Sequence, residues 1–138
     1  MQHEPTPSPA ETLPRADRVR QRPEYQRIQS RGERVHTPHF ILMVFAREDS
    51  GRRIGITVTK KVGSAVARNR VKRVMREVFR RNRPLFPEGA DLVVIAKKGA
   101  PELGYADALG EIIRVARALS AALERSRRKR LLDEPCRG

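Results

Sequence analysis

The chain has 138 residues, enough for one small domain around one modest core. Thirty Lys and Arg against sixteen Asp and Glu leave a formal net charge of +14. That surplus repels itself in the free protein and points to a polyanionic partner, nucleic acid before anionic membrane. The longest apolar run, Phe40 to Ala46, is far too short to cross a bilayer, and the lone Cys136 excludes an internal disulfide and any cysteine-rich zinc site.

Pro5, Pro7, Pro9 and Pro14 mark residues 1–14 as a flexible leader without the apolar core of a signal peptide, so the protein is expected in the cytoplasm. Pro23 to Arg31 reads as a short helix carrying Tyr25, with Pro23 in the first turn and Gly32 at the stop. His36 and His39 flank a turn-like Thr37-Pro38 and have no third ligand nearby, so they read as loop or strand-edge residues. Phe40 to Ala46 and Ile54 to Thr59 read as strands. Asp49-Ser50-Gly51 between them is good hairpin chemistry, which predicts an antiparallel pair.

The first of these strands is apolar on both faces, which predicts a central position in the sheet with one face partly available for stacking. In the second, alternation sends Ile54, Ile56 and Val58 to a core face and Arg53, Gly55, Thr57, Thr59 and Lys61 to a polar, basic one. Gly55 marks either a close approach of another backbone or a ligand, or a bulge.

Lys60 to Arg81 is rich in Lys and Arg and holds one carboxylate, Glu77. Ser64 is an N-cap candidate, and Ala67, Val71, Val74, Met75 and Val78 recur at helical spacing as a buried stripe. At about 100° per residue, Asn69, Arg73, Arg76 and Arg80 fall on the opposite side, flanked by Arg70 and Lys72. A helix that is merely solvated interleaves acids with its bases. This one carries a single sign, which favours a ridge of arginines presented to a phosphate backbone. RPLFPEG ends the helix and DLVVIAKK supplies a buried strand. A long amphipathic helix follows Pro101, with Leu109, Ile112, Ile113, Ala116, Leu119 and Leu123 as its core face. The basic run Arg125 to Arg130 ends or frays it.

The run RIGITVTKKVGSAVARNRVKRVMREVFR, Arg53 to Arg80, resembles the signature of the bacterial ribonuclease P protein subunit. Its core is the strand, the Lys-Lys-Val-Gly turn and the Arg68-Asn69-Arg70 helix followed by Lys72-Arg73. Upstream LPRADRVRQRPEYQRI, downstream DLVVIAKKGA and the closing helix agree in order and spacing, so the resemblance covers about Leu13 to Leu123. It implies an α+β fold: a small single-domain α/β sandwich similar to the second domain of a small-subunit ribosomal protein, with a mixed sheet of about four strands. It also implies a left-handed βαβ crossover, where pattern alone defaults to right-handed. The implied organisation is a Pro-rich extension at 1–14, the ribonuclease P protein domain at 15–123 and a basic tail at 124–138.

The resemblance further implies that the arginine-rich helix faces a catalytic RNA subunit through Arg68, Asn69, Arg70, Lys72, Arg73 and Arg76. A cleft over the sheet would hold the single-stranded 5′ leader of precursor tRNA through Tyr25, Thr57, Thr59 and Lys61. Gln29, one turn after Tyr25, and Met43 stand where the family often has aromatics, which predicts weaker stacking of leader bases. No carboxylate cluster suits a magnesium nuclease, so no catalytic or metal-binding residue is assigned to the polypeptide. The chemistry is expected on the RNA subunit and its magnesium, with no small-molecule cofactor and no membrane partner. A general or ribosomal RNA-binding protein and a protein-only nuclease are the competing classes. Copurification of one structured RNA separates the first, and cleavage without added RNA the second.

Overall fold

The structure, a computed structural model, describes Arg18, Val19 and residues 22–133. The expected extension at 1–14 and Cys136 lie outside the described residues. The chain runs α1 (Arg22–Arg31), β1 (Glu33–His36), β2 (Phe40–Ala46), β3 (Arg52–Thr57), α2 (Ala65–Arg81), β4 (Ala90–Ala96) and α3 (Tyr105–Asp133). The four strands form one mixed sheet in the order β1-β2-β4-β3. β1 and β2 are antiparallel, β2 and β4 are antiparallel, and β3 and β4 are parallel and joined through α2. This is an α+β architecture with α2 and α3 packed on one face of the sheet and α1 lying over part of the other.

The antiparallel pairing expected between Phe40–Ala46 and the following strand does not form. The turn chemistry is real, since Asp49 accepts from the Gly51 amide at 2.9 Å and from the Arg47 side chain. A turn fixes a reversal of direction, however, and does not choose the strand's neighbour. β4 is buried along almost its whole length and takes the central place between β2 and β3, where its apolar side chains are covered on both faces. The hairpin lies one strand earlier: β1 turns into β2 through Thr37, whose amide donates to the Phe40 carbonyl at 2.8 Å while its hydroxyl accepts from the Phe40 amide at 3.0 Å. β1 escapes periodicity because it is four residues long with one apolar side chain, Val35.

The predicted faces of β3 hold. Ile54, Ile56 and Val58 join the main core with Phe40, Leu42, Val44, Leu92, Val94 and the helices. A second, smaller cluster of Val19, Ile28, Met43 and Val93 seals α1 onto the other face. In α2, Ser64 caps as expected, accepting from the Ala67 amide at 3.2 Å, and Val71, Met75, Val78 and Phe79 are buried. α3 departs from expectation twice. Ile113 is 55% exposed, and Ala108 and Ala122 bury instead, because the helix rests on the sheet through a face rotated from the one that the larger side chains suggest. The helix also continues through Arg125–Arg130. Buried Ser126 accepts from the Ala46 amide at 2.9 Å, and Arg125 and Lys129 both pair with Glu33 of β1, so the sheet edge anchors the basic run.

Candidate nucleic-acid interface

α2 places the expected ridge at the surface. Asn69, Arg70 and Arg73 are exposed and Lys72 is partly exposed, and none of the three basic residues makes an ion pair among the described residues. Buried Val71, Met75 and Val78 hold the opposite side of the helix against the core, which fixes how the ridge faces outward. The ends of the basic run differ. Arg68 bends back to donate to the Gly63 carbonyl at 3.1 Å, and Arg80 is engaged by Glu77 through two bonds of 2.8 and 2.9 Å. Arg80 therefore leaves the ridge, because the helix's only acid lies one turn before it.

Arg76 leaves the open surface in another direction. It is partly buried beside Tyr25 and Arg18, in a recess also lined by Val19, Ile54, Gly55 and Ile56. Burial pushes its guanidinium down from the ordinary range, and the like charge of Arg18 adds to that shift. The same burial pushes the Tyr25 hydroxyl up, opposed by a hydrogen bond from the Ile56 backbone and by the Arg76 charge.

Gly55 has a definite cause. A Cβ there would lie 2.5 Å from the Tyr25 hydroxyl oxygen and 2.6 Å from the ring carbon that bears it. The close approach is that of the protein's own tyrosine side chain, and the pairing of β3 with β4 runs through Gly55 without a bulge.

The strand register lays Thr57, Ile95, Ile41 and His36 in one row across the sheet on the face that α1 covers only in part. All four are at least partly exposed, which leaves an apolar floor of two isoleucines beside Tyr25. The sequence pattern points to β2's second face but does not pick out Ile41 with Ile95, because their pairing depends on β4 lying next to β2. Thr59 and Lys61 lie past the end of β3 and are exposed, in a turn that the Val62 amide closes on the Thr59 carbonyl at 3.0 Å. Tyr25 and Thr57 thus share one face, and Thr59 and Lys61 follow in the exposed turn after β3. Met43 is 1% exposed beneath Ile28, so it belongs to the packing under α1 and presents nothing to a base.

Not all of the basic face is free charge. Arg53 donates to Asp91 through two bonds of 2.8 Å and to Glu24 at 2.6 Å, and Arg47 reaches the same Asp91 at 2.7 Å. Both guanidiniums are held well above their usual range, Arg47 chiefly by Asp49 and Arg53 chiefly by Asp91. Asp91 is the buried hinge of this network, a role the sequence shows only as an isolated acid before an apolar run. Among the described residues no group of three or more His, Cys, Asp or Glu side chains could hold a metal ion, and no helix is long and apolar enough to cross a membrane.

The family model for ribonuclease P matches residues 13–119. The ribonuclease P protein component of Syntrophus aciditrophicus is 43% identical over 101 residues, covering 73% of this chain and 85% of the relative. That of a Geobacter species is 39% identical over 117 residues, covering 85% and 94%. The solved RNase P protein of Staphylococcus aureus superposes with a TM-score of 0.68 at 28% identity, covering 78% of this chain and 99% of that one. The Thermotoga maritima protein superposes at 0.67 and 30% identity, covering 73% and 96%.

Proposed function

The chain belongs to the ribonuclease P protein family, the protein subunit of an endoribonuclease holoenzyme acting in tRNA processing, and from that premise we propose how it divides its surface between two RNAs. The α2 ridge of Arg68, Asn69, Arg70, Lys72 and Arg73, continued by Arg76 where it turns into the recess beside Tyr25, faces the catalytic RNA subunit. The cleft of Tyr25, Thr57, Thr59 and Lys61, with Ile41 and Ile95 as its floor, takes the single-stranded 5′ leader of precursor tRNA. The observation that carries the first half is the row of exposed, unpaired basic side chains on a helix whose other face is locked in the core. The cleft reading is supported by an aromatic ring beside an apolar floor, with Lys61 exposed in the turn after β3, the elements that hold unstacked bases and a phosphate together.

Removing a leader requires a nucleophile aimed at one phosphodiester. Among the described residues no three His, Cys, Asp or Glu side chains cluster as a metal site, and we assign the chemistry to the RNA subunit with its magnesium and the protein's part to binding. The cations lower the repulsion between two RNA backbones that must lie side by side, and the cleft fixes where the leader leaves the cleavage site. The holoenzyme is placed in the cytoplasm. Reconstitution tests the whole reading: the protein alone leaves precursor tRNA intact, and adding the RNA subunit and magnesium yields the mature 5′ end. Magnesium-dependent cleavage by RNA-free protein overturns it.

A further inference from the structure

Arg18 bridges to Ile54 at the edge of β3, and Val19 donates its amide to the Ile54 carbonyl at 3.0 Å. Arg18 thereby lines a recess of about 350 Å3 together with Tyr25 of α1, the edge of β3 and Arg76 of α2. Its Nε is buried and has no hydrogen-bond partner, an arrangement that costs stability unless something accepts the proton. Arg76 faces the same recess from α2 and also makes no ion pair among the described residues. The third polar wall is the Tyr25 hydroxyl. A phenol carries one proton to donate, and Tyr25 lines the recess with the two arginines. Among the described residues no carboxylate lines the recess, and Glu24 of α1 is paired with Arg53.

Three donor groups, two of them cations that repel each other, line one recess with no carboxylate among the described residues. Their chemistry fits a compact, multiply charged oxyanion, whose oxygens accept from both guanidinium forks and whose charge relieves their repulsion. A water's share of liquid volume is about 30 Å3, so the recess has ample room for such a group. We propose that Arg18, Arg76 and Tyr25 form a phosphate-binding site, occupied in the assembled complex by one phosphate of the bound RNA where the α2 ridge meets the cleft. The site stands on the geometry alone. Only the assignment of its phosphate to RNA rests on the proposed function.

The test titrates the isotopically labelled full chain with inorganic phosphate against chloride at constant ionic strength, following the Nε–H resonances of Arg18 and Arg76. Both are expected to move and saturate with one common dissociation constant, weakened about tenfold or more in Arg18→Gln and in Arg76→Gln and unchanged in Arg117→Gln, on the exposed side of α3. Shifts that never saturate, or an unaltered constant in Arg18→Gln, overturn the site. Where Arg18→Gln does not fold, Arg18→Lys keeps the charge and loses the fork, and the wild-type titration still decides by itself.

A single-stranded RNA pentamer then identifies the source. Displacement of phosphate from Arg18 by the pentamer supports an RNA phosphate, and saturation by phosphate with no response to RNA overturns that assignment. A normally active holoenzyme whose Arg18 ignores phosphate overturns the site and leaves the family assignment intact.

Discussion

Tyr25 and Gly55 are fitted to each other: the ring of the first lies where a side chain on the second would have to begin, 2.5 to 2.7 Å from the missing Cβ. The pair docks α1 on β3 and at the same time sets the ring at the edge of the cleft. Gly55→Ala must push the ring out or bend the strand. Overpacking of this kind costs about 1–3 kcal/mol, so the urea midpoint is expected to fall with little change in slope. A midpoint equal to wild type would show that the ring swings aside freely.

The cleft and the ridge separate by substrate. Lys61→Ala is expected to weaken holoenzyme binding to precursor tRNA with a leader several nucleotides long while leaving leaderless mature tRNA almost unaffected. Tyr25→Ala adds the loss of a stacking platform, roughly 1–3 kcal/mol for the leader-bearing ligand. Paired titrations with the two tRNAs decide it. Equal losses for both would assign Tyr25 to anchoring α1 alone.

For the ridge, the expected signature is a change in salt dependence. Replacing Arg73 or Arg76 with alanine removes one phosphate contact each, and the slope of log affinity for the RNA subunit against log salt should fall by about 0.7 to 0.9 per contact. Circular dichroism should stay native. Assembly that does not change across a salt series would reduce the ridge to solvated surface.

Asp91 holds Arg47 and Arg53 together from a buried position, with its side chain 9% exposed. Asp91→Asn keeps the shape and strands two guanidiniums, and breaking a buried pair from one side costs about 3–5 kcal/mol. Chemical denaturation should show a loss of that order. A loss below about 1 kcal/mol would mean that Asp49 and Glu24 take over both arginines.

Acid sensitivity should trace in part to Glu111 of α3. Burial pushes its carboxyl up, but hydrogen bonds from Thr37 and from the His39 ring and amide outweigh that, so the net direction is down. A carboxyl lowered in the folded state stabilises fully above its unfolded value of about 4.3 and loses that contribution as pH falls through the lower folded value. Glu111→Gln should therefore narrow its stability deficit against wild type as pH drops from 5 towards 3 (about two units). A deficit independent of pH would contradict the linkage.

Much of this protein is legible in its sequence because the signals are local. The Ser64 cap, the stripe of α2, the alternation of β3 and the apolar runs of β2 and β4 depend on residues within one or two turns or strand repeats of each other. The one-signed charge of α2 is equally local, so the ridge follows from it once the buried face is known. What the sequence leaves open is long-range. β4 inserts between β2 and β3 because a strand apolar on both faces gains most from the centre of the sheet, and only that insertion brings Ile41 and Ile95 together in the cleft floor.

Pairing of charges is also a tertiary outcome. Arg53 and Arg47 look as free as Arg73 in the sequence. Asp91, between 38 and 44 residues away in the chain, neutralises both through the sheet. Arg18 and Arg76 share a recess walled by Tyr25 and the edge of β3, and among the described residues no acid lines it.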